Sequence, residues 1–137
     1  MSNANKIVKT MYKGDAFSKW LGIEIVLVGE GLCELKLIVR EEMTNGFGIA
    51  HGGITYSLAD SALAFASNSH GRKSVSVETS ISHTKQCVVG DVISAKAKEK
   101  SISNKIAIYE ITITNQKYEM VALFKGTVYR TSKNWEL

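Results

Sequence analysis

Residues 45–71, NGFGIAHGGITYSLADSALAFASNSHG, gather the side chains of this sequence best suited to chemistry. Gly46, Gly48, Gly52 and Gly53 make a glycine-rich loop that runs directly into a stretch of helix formers. The first turn of a helix presents backbone N–H groups with no intrahelical acceptor, and the helix dipole is positive there. Without a Cβ, Gly52 and Gly53 let a ligand approach those amides closely. Such a place suits an oxygen that gains negative charge during a reaction. A plain tight turn accounts for the same glycines.

Asp60 is the second signal. It stands between Leu58-Ala59 and Ala62-Leu63-Ala64-Phe65, in the middle of the expected helix. Aspartate is a poor interior helix residue, and burying its charge is costly unless the charge is partnered. A carboxylate in such surroundings is a candidate for function, with a perturbed pKa. The plainer reading puts Asp60 on the one wet stripe of the helix, shared with Tyr56 and Ser67. The spacing adds a constraint. From Gly52 to Asp60 a helix rises about 12 Å, too far for both to touch one reacting carbonyl. If both act in one site, they come from different subunits, and a symmetric dimer with two composite sites meets that requirement.

The elements that must position these residues are readable from pattern. Residues 53–69 carry small and apolar side chains on nearly every side, which marks a buried helix, and Gly71 is expected to end it at a C-cap. Residues 4–13 pattern as a short amphipathic helix with Ile7, Val8 and Met11 on one side. Asp15 is expected to cap a second short turn carrying Phe17, Trp20 and Leu21. Residues 22–29 and 32–40 alternate as strands, with Gly29-Glu30-Gly31 as the hairpin turn. Four further strands are expected over 74–84, 91–101, 105–115 and 119–131, with turns at Asn104 and 115–118. Residues 106–114, IAIYEITIT, show clear period-2 alternation. One buried helix among six strands predicts an α+β fold with an antiparallel sheet curled around that helix.

Composition bounds the function. The 137 residues fit a single domain over 1–137. A net charge of +4, spread over 17 basic and 13 acidic residues without a run, is a solvated surface that mildly favours an anionic, phosphorylated ligand. No aromatic-plus-basic motif or recognition helix points to nucleic acid. No stretch approaches the ~20 apolar residues of a membrane span, and no signal-peptide pattern opens the chain. Cys33 and Cys87 lie in apolar stretches that read as strands and are expected to be reduced core residues. A cytoplasmic location follows. No Cys/His cluster has zinc spacing, so no metal is expected.

The segment resembles the PaaI-like branch of hotdog thioesterases, the phenylacetate-degradation type. Asn45, His51-Gly52-Gly53, Leu58-Ala59-Asp60, the alanine-rich turn at 62–66 and Asn68-Ser69 carry the resemblance, and the element order matches one hotdog domain. The resemblance implies an acyl-CoA thioesterase needing no cofactor, since CoA is part of the substrate. Asp60 would attack the thioester or activate the water that does. The Gly52 amide would bind the carbonyl oxygen, beside Gly53. Asn45 would orient water or carbonyl, His51 would hold the loop or assist polarisation, and Ser76 would orient water. Arg72, Lys73 and Lys85 are candidates for the CoA phosphates. Homodimers with the site at the interface, paired into homotetramers, are implied, with phenylacetyl, hydroxyphenylacetyl or medium-chain acyl groups as substrates.

Two departures stand out. Gln86 occupies a place where the family often has proline, which affects the edge of the ligand groove. His70 and His83 match no role in the family pattern and read as surface or structural histidines. Two other readings stay open at this level. One is a non-catalytic acyl-CoA-binding module, which has no need of a buried carboxylate. The other is a hotdog enoyl-CoA hydratase, whose Asp/His pairing is not visible here.

Overall fold

The computed structural model describes residues 1–137. The chain runs α1 (Asn3–Lys13), α2 (Ala16–Leu21), β1 (Glu24–Gly29), β2 (Leu32–Ile38), a 3₁₀ turn (Glu41–Met43), α3 (Gly52–Asn68), β3 (Arg72–His83), β4 (Val92–Ile102), β5 (Ile106–Thr114) and β6 (Met120–Asn134). The six strands form one antiparallel sheet in the order β1-β2-β4-β5-β6-β3. α3 lies against its inner face. This is the α+β arrangement expected from the pattern, and it is the hotdog fold that the family resemblance implies.

Period-2 burial drives the wrapping. In β5 Ala107, Tyr109, Ile111 and Ile113 point inward, and in β2 Cys33, Leu35 and Leu37 do the same. They meet Leu58, Ala59, Ala62, Leu63, Phe65 and Ala66 of α3 in one core. The helix can lie close to the sheet because β6 offers Gly126 there. A Cβ at that position would sit 2.5 Å from Leu63 Cδ2. α1 closes the remaining side of the helix. Ser2 caps it by accepting from the Asn5 amide, Ile7 and Val8 are buried, and Tyr12 packs edge-on against Phe65.

Several boundaries differ from the sequence expectation, each for a local reason. Gly22 is not part of β1. It ends α2 in the left-handed region at φ 71°, and its N–H bonds back to the helix. β2 stops at Ile38, because the chain turns into the 3₁₀ segment that buries Met43. The C-cap of α3 is Ser69 rather than Gly71; Gly71 follows at φ 112° and turns the chain into β3. Of the α2 side chains, Leu21 is buried while Phe17 and Trp20 stack on each other at the surface. Cys33 lies in β2 as expected, but Cys87 lies in the loop before β4; both are buried and unpaired. No helix is long and apolar enough to cross a membrane.

Candidate active site

The glycine loop is held from both sides. The His51 amide donates to Met43 O at 2.8 Å, and the Ala50 amide donates to Cys87 O at 2.8 Å. This delivers Gly52 as the first residue of α3, with His51 as N-cap. His51 Nδ1 accepts from the Gly53 amide at 2.9 Å, so His51 holds the loop, and the Gly53 amide is already used. The Gly52 amide comes before the first intrahelical bond and donates to no group of the chain. It is therefore an amide of this turn left without an acceptor.

A depression of about 310 Å³ opens beside it. Asn45, Thr55, His83, Lys85 and Gln86 line it with Gly52. Asn45 braces the loop by accepting from the Phe47 amide at 2.9 Å. Lys85 pairs with Glu119 at 3.1 Å at its rim. Thr55 and His83 were not singled out as site residues by sequence. Thr55 Oγ1 donates to Gly52 O at 3.1 Å and lies 2.7 Å from His83 Nε2. His83 thus borders the Gly52 turn, exposed yet hydrogen-bonded to Thr55, which agrees with a surface or structural histidine. Only its position at the end of β3, opposite the helix start, reveals that contact.

Asp60 opens into a second depression of about 420 Å³. Ser76 and Lys73 line it, with Met11, Leu63, Val128 and Trp135 forming apolar wall. Asp60 is half-buried on the stripe of α3 that turns toward β3, two turns below Gly52. Burial, and then the negative charge of Asp15, hold its carboxyl above the ordinary 3.8. Asp15 is fixed nearby as the cap of α2. Its carboxylate accepts from the Ser18 amide at 3.0 Å and from the Ser18 hydroxyl at 2.6 Å, and Ser18 Oγ lies 2.8 Å from Ser61 Oγ.

The single chain therefore scatters the sequence-predicted residues. Gly52, Asn45 and Lys85 border one depression, Asp60, Ser76 and Lys73 border another, and His51 and Gly53 line a third. Arg72 joins none of them; its guanidinium is engaged by the Asn104 side chain and carbonyl. Lys73 lies 5.0 Å over the Trp135 ring. Arg72 and Lys85 flank opposite ends of the strand β3, so one protomer cannot bring both to one phosphate. Asn68 proves structural. It donates to Ser74 O at 3.1 Å, and its Oδ1 accepts from the Ser74 amide and from Trp135 Nε1, each at 2.9 Å. His70 is structural as well, 2.6 Å from Glu99, which also accepts from the Tyr109 hydroxyl at 2.6 Å. His, Cys, Asp and Glu side chains nowhere cluster in a way that could hold a metal ion.

A family model described as the thioesterase superfamily matches residues 47–122, which span most of the loop, α3, β3, β4, β5 and the start of β6. The Escherichia coli acyl-coenzyme A thioesterase PaaI is 38% identical over 120 residues, covering 88% of this chain and 86% of that protein. The human acyl-coenzyme A thioesterase 13 is 32% identical over 117 residues, covering 81% of each. The solved structure of the E. coli PaaI protein from the phenylacetic acid degradation operon superposes with a TM-score of 0.94 at 35% identity, over 96% of both chains. A hypothetical thioesterase protein from Streptococcus pneumoniae, solved with coenzyme A, superposes with a TM-score of 0.86 at 25% identity, over 92% of this chain and 98% of that one.

Proposed function

Since this chain belongs to the thioesterase superfamily and is an acyl-CoA thioesterase of the PaaI-like hotdog type, we propose that it hydrolyses phenylacetyl-CoA or hydroxyphenylacetyl-CoA, or medium-chain acyl-CoA, at a site shared by two protomers. The observation that carries this reading is the separation of Gly52 and Asp60 into two depressions on one protomer. Each is half a site. β3 supplies the joint: it is an edge strand, 12 residues long, with Val75 and Val77 exposed. An unpaired edge of that length is a template for a second copy. Antiparallel pairing of β3 with itself sets the Gly52 end of one protomer beside the Asp60 stripe of the other. Exposed Leu123 and Tyr129 on the outer face of the sheet support pairing of dimers into a tetramer.

In the composite site the Gly52 amide donates to the thioester oxygen as it becomes an oxyanion. Asp60 acts from the partner helix. As nucleophile it attacks the carbonyl carbon, the C–S bond breaks, CoA leaves as thiolate, and water cleaves the resulting anhydride. As general base it takes a proton from the attacking water, with the same products, free acid and CoA. Ser76 and Asn45 orient water and carbonyl, and His51 holds the loop. Lys85, Lys73 and Arg72 offer charge to the CoA phosphates from the two subunits. The apolar wall by Asp60, with Trp135 and Met11, suits an aryl or medium-length acyl group. Unpaired Cys33 and Cys87 support residence in the cytoplasm.

Steady-state CoA release, followed with a thiol-trapping dye, tests this reading on wild type and Asp60→Asn. Turnover of the aryl-acetyl and medium-chain esters is expected in wild type, with a loss of several orders of magnitude in the folded variant. Undiminished turnover in Asp60→Asn would place the catalytic group elsewhere.

A further inference from the structure

We propose that His83 is a positioning residue for thioester hydrolysis, holding the Gly52 turn in shape through the hydroxyl of Thr55. The proposal rests on the reading of the Gly52 amide as the oxyanion donor.

Thr55 has one hydroxyl proton, and its bond to Gly52 O at 3.1 Å takes it. With the proton there, His83 is the donor in the 2.7 Å contact between Thr55 Oγ1 and His83 Nε2, whose direction otherwise depends on the imidazole tautomer. His83 therefore carries its proton on Nε2, and a chain of donors runs from His83 through Thr55 to Gly52 O. That carbonyl shares a peptide plane with the Gly53 amide, which donates to His51 Nδ1 at 2.9 Å. The peptide joining Gly52 to Gly53 is thus clamped at its oxygen by His83 and Thr55 and at its nitrogen by His51.

The clamp matters because Gly52 has no Cβ to limit its backbone rotation. Rotation about Gly52 swings an amide of the turn that has no acceptor. The His83 ring also closes one side of that residue: a Cβ on Gly52 would meet His83 Cε1 at 3.4 Å. A preorganised donor stabilises an oxyanion because nothing has to reorient as charge develops. Loss of the clamp therefore weakens transition-state binding more than ground-state binding.

His83→Ala is expected to lower kcat about threefold to tenfold, the effect of one net hydrogen bond, with KM for the CoA ester changed less than about twofold. His83→Gln keeps a donor near the Nε2 position and should recover most of the loss. Thr55→Val should lose as much as His83→Ala, and the double variant no more than the larger single. Wild-type kcat in His83→Ala, a loss confined to KM, or a Gln variant no better than Ala would overturn the proposal. Long-range ¹H–¹⁵N NMR of wild type at mildly alkaline pH reads the tautomer without any substrate. A proton on Nε2 of His83 is expected; a proton on Nδ1 overturns the proposal even if the enzyme is inactive. Asp60→Asn assayed alongside keeps the two ideas separable: full activity there refutes the site reading and leaves the His83 geometry to the NMR result.

Discussion

Gly126→Ala probes the closeness of helix and sheet on which the site depends. Gly126 lies on the inner face of β6, between Tyr109 of β5 and Thr79 of β3. An added Cβ would meet Leu63 Cδ2 at 2.5 Å, Leu63 Cδ1 at 3.0 Å and Phe124 Cε1 at 3.1 Å. Optimal carbon contacts are about 3.5–4.0 Å, so the overlap with Leu63 is about 1 Å or more. Leu63 is 1% exposed, and close packing holds it on every side except the one that borders the Asp60 depression. Overpacking of this kind costs about 1–3 kcal/mol, and the lost flexibility of the unfolded chain returns about 0.4–1 kcal/mol. The mid-range net is a destabilisation of about 1.3 kcal/mol, or a fall in Tm of about 3–6 °C at this chain length. Leu63→Ala alone leaves a cavity costing about 2–5 kcal/mol. Combined with Gly126→Ala it also removes the clashing methyls, so the double variant should be more stable than the sum of the singles by about 0.5–3 kcal/mol. Thermal and urea unfolding of the four proteins measure this. An unchanged Tm in Gly126→Ala, or strict additivity in the double variant, would refute the reasoning.

Asp60→Asn should raise Tm at neutral pH while abolishing turnover. The folded protein holds the Asp60 proton more tightly than the unfolded chain does, so ionisation costs stability as pH rises from 3.8 through the folded value; the gain in the Asn variant should vanish below 3.8, and a lower Tm at neutral pH would contradict it. The acid limb of kcat/KM should lie above 3.8, and Asp15→Asn, which keeps the helix cap, should move it lower by removing the neighbouring charge. Burial pushes the Cys33 thiol up to about 12 and the Cys87 thiol up to about 11, so a thiol dye should label neither in the native protein and both after denaturation, as counted by mass spectrometry. Val77→Lys places charge on the free edge of β3 and should give a smaller species by size exclusion together with lost activity; a full-sized active assembly would exclude β3 as the joint.

Much of this fold was legible because its elements carry strong local patterns. The alternation in residues 106–114 and the all-round apolar character of α3 each have one physical reading. Asp60 was legible for the opposite reason, as a charge where the pattern calls for an apolar or neutral residue. What could not be read is what depends on long-range register. His83 is far from Thr55 in sequence, and only the path of β3 alongside α3 brings its ring to the Gly52 turn. Trp135 and Lys73 likewise meet at the Asp60 depression because Arg72 pairs with Asn134 at the far end of the β3–β6 ladder. Cys87 misled through composition: its apolar neighbours Val88 and Val89 suggest a strand, yet Val88 and Val89 are exposed and the backbone there turns around Asp91.

The strand order also sets a timetable for synthesis. β3 pairs within the sheet only with β6, the last strand to be made. A ribosome adds about 5–20 residues per second, so β3 waits several seconds while residues 84–119 and then β6 emerge. During that interval the edge of β3 that later pairs with β6 has no partner, and both edges of β3 are open to other nascent chains. With no proline in the sequence, no prolyl isomerisation lengthens the delay. Solubility during expression should therefore respond most to changes that slow arrival of β6 or make β3 stickier, even where they leave the finished enzyme untouched.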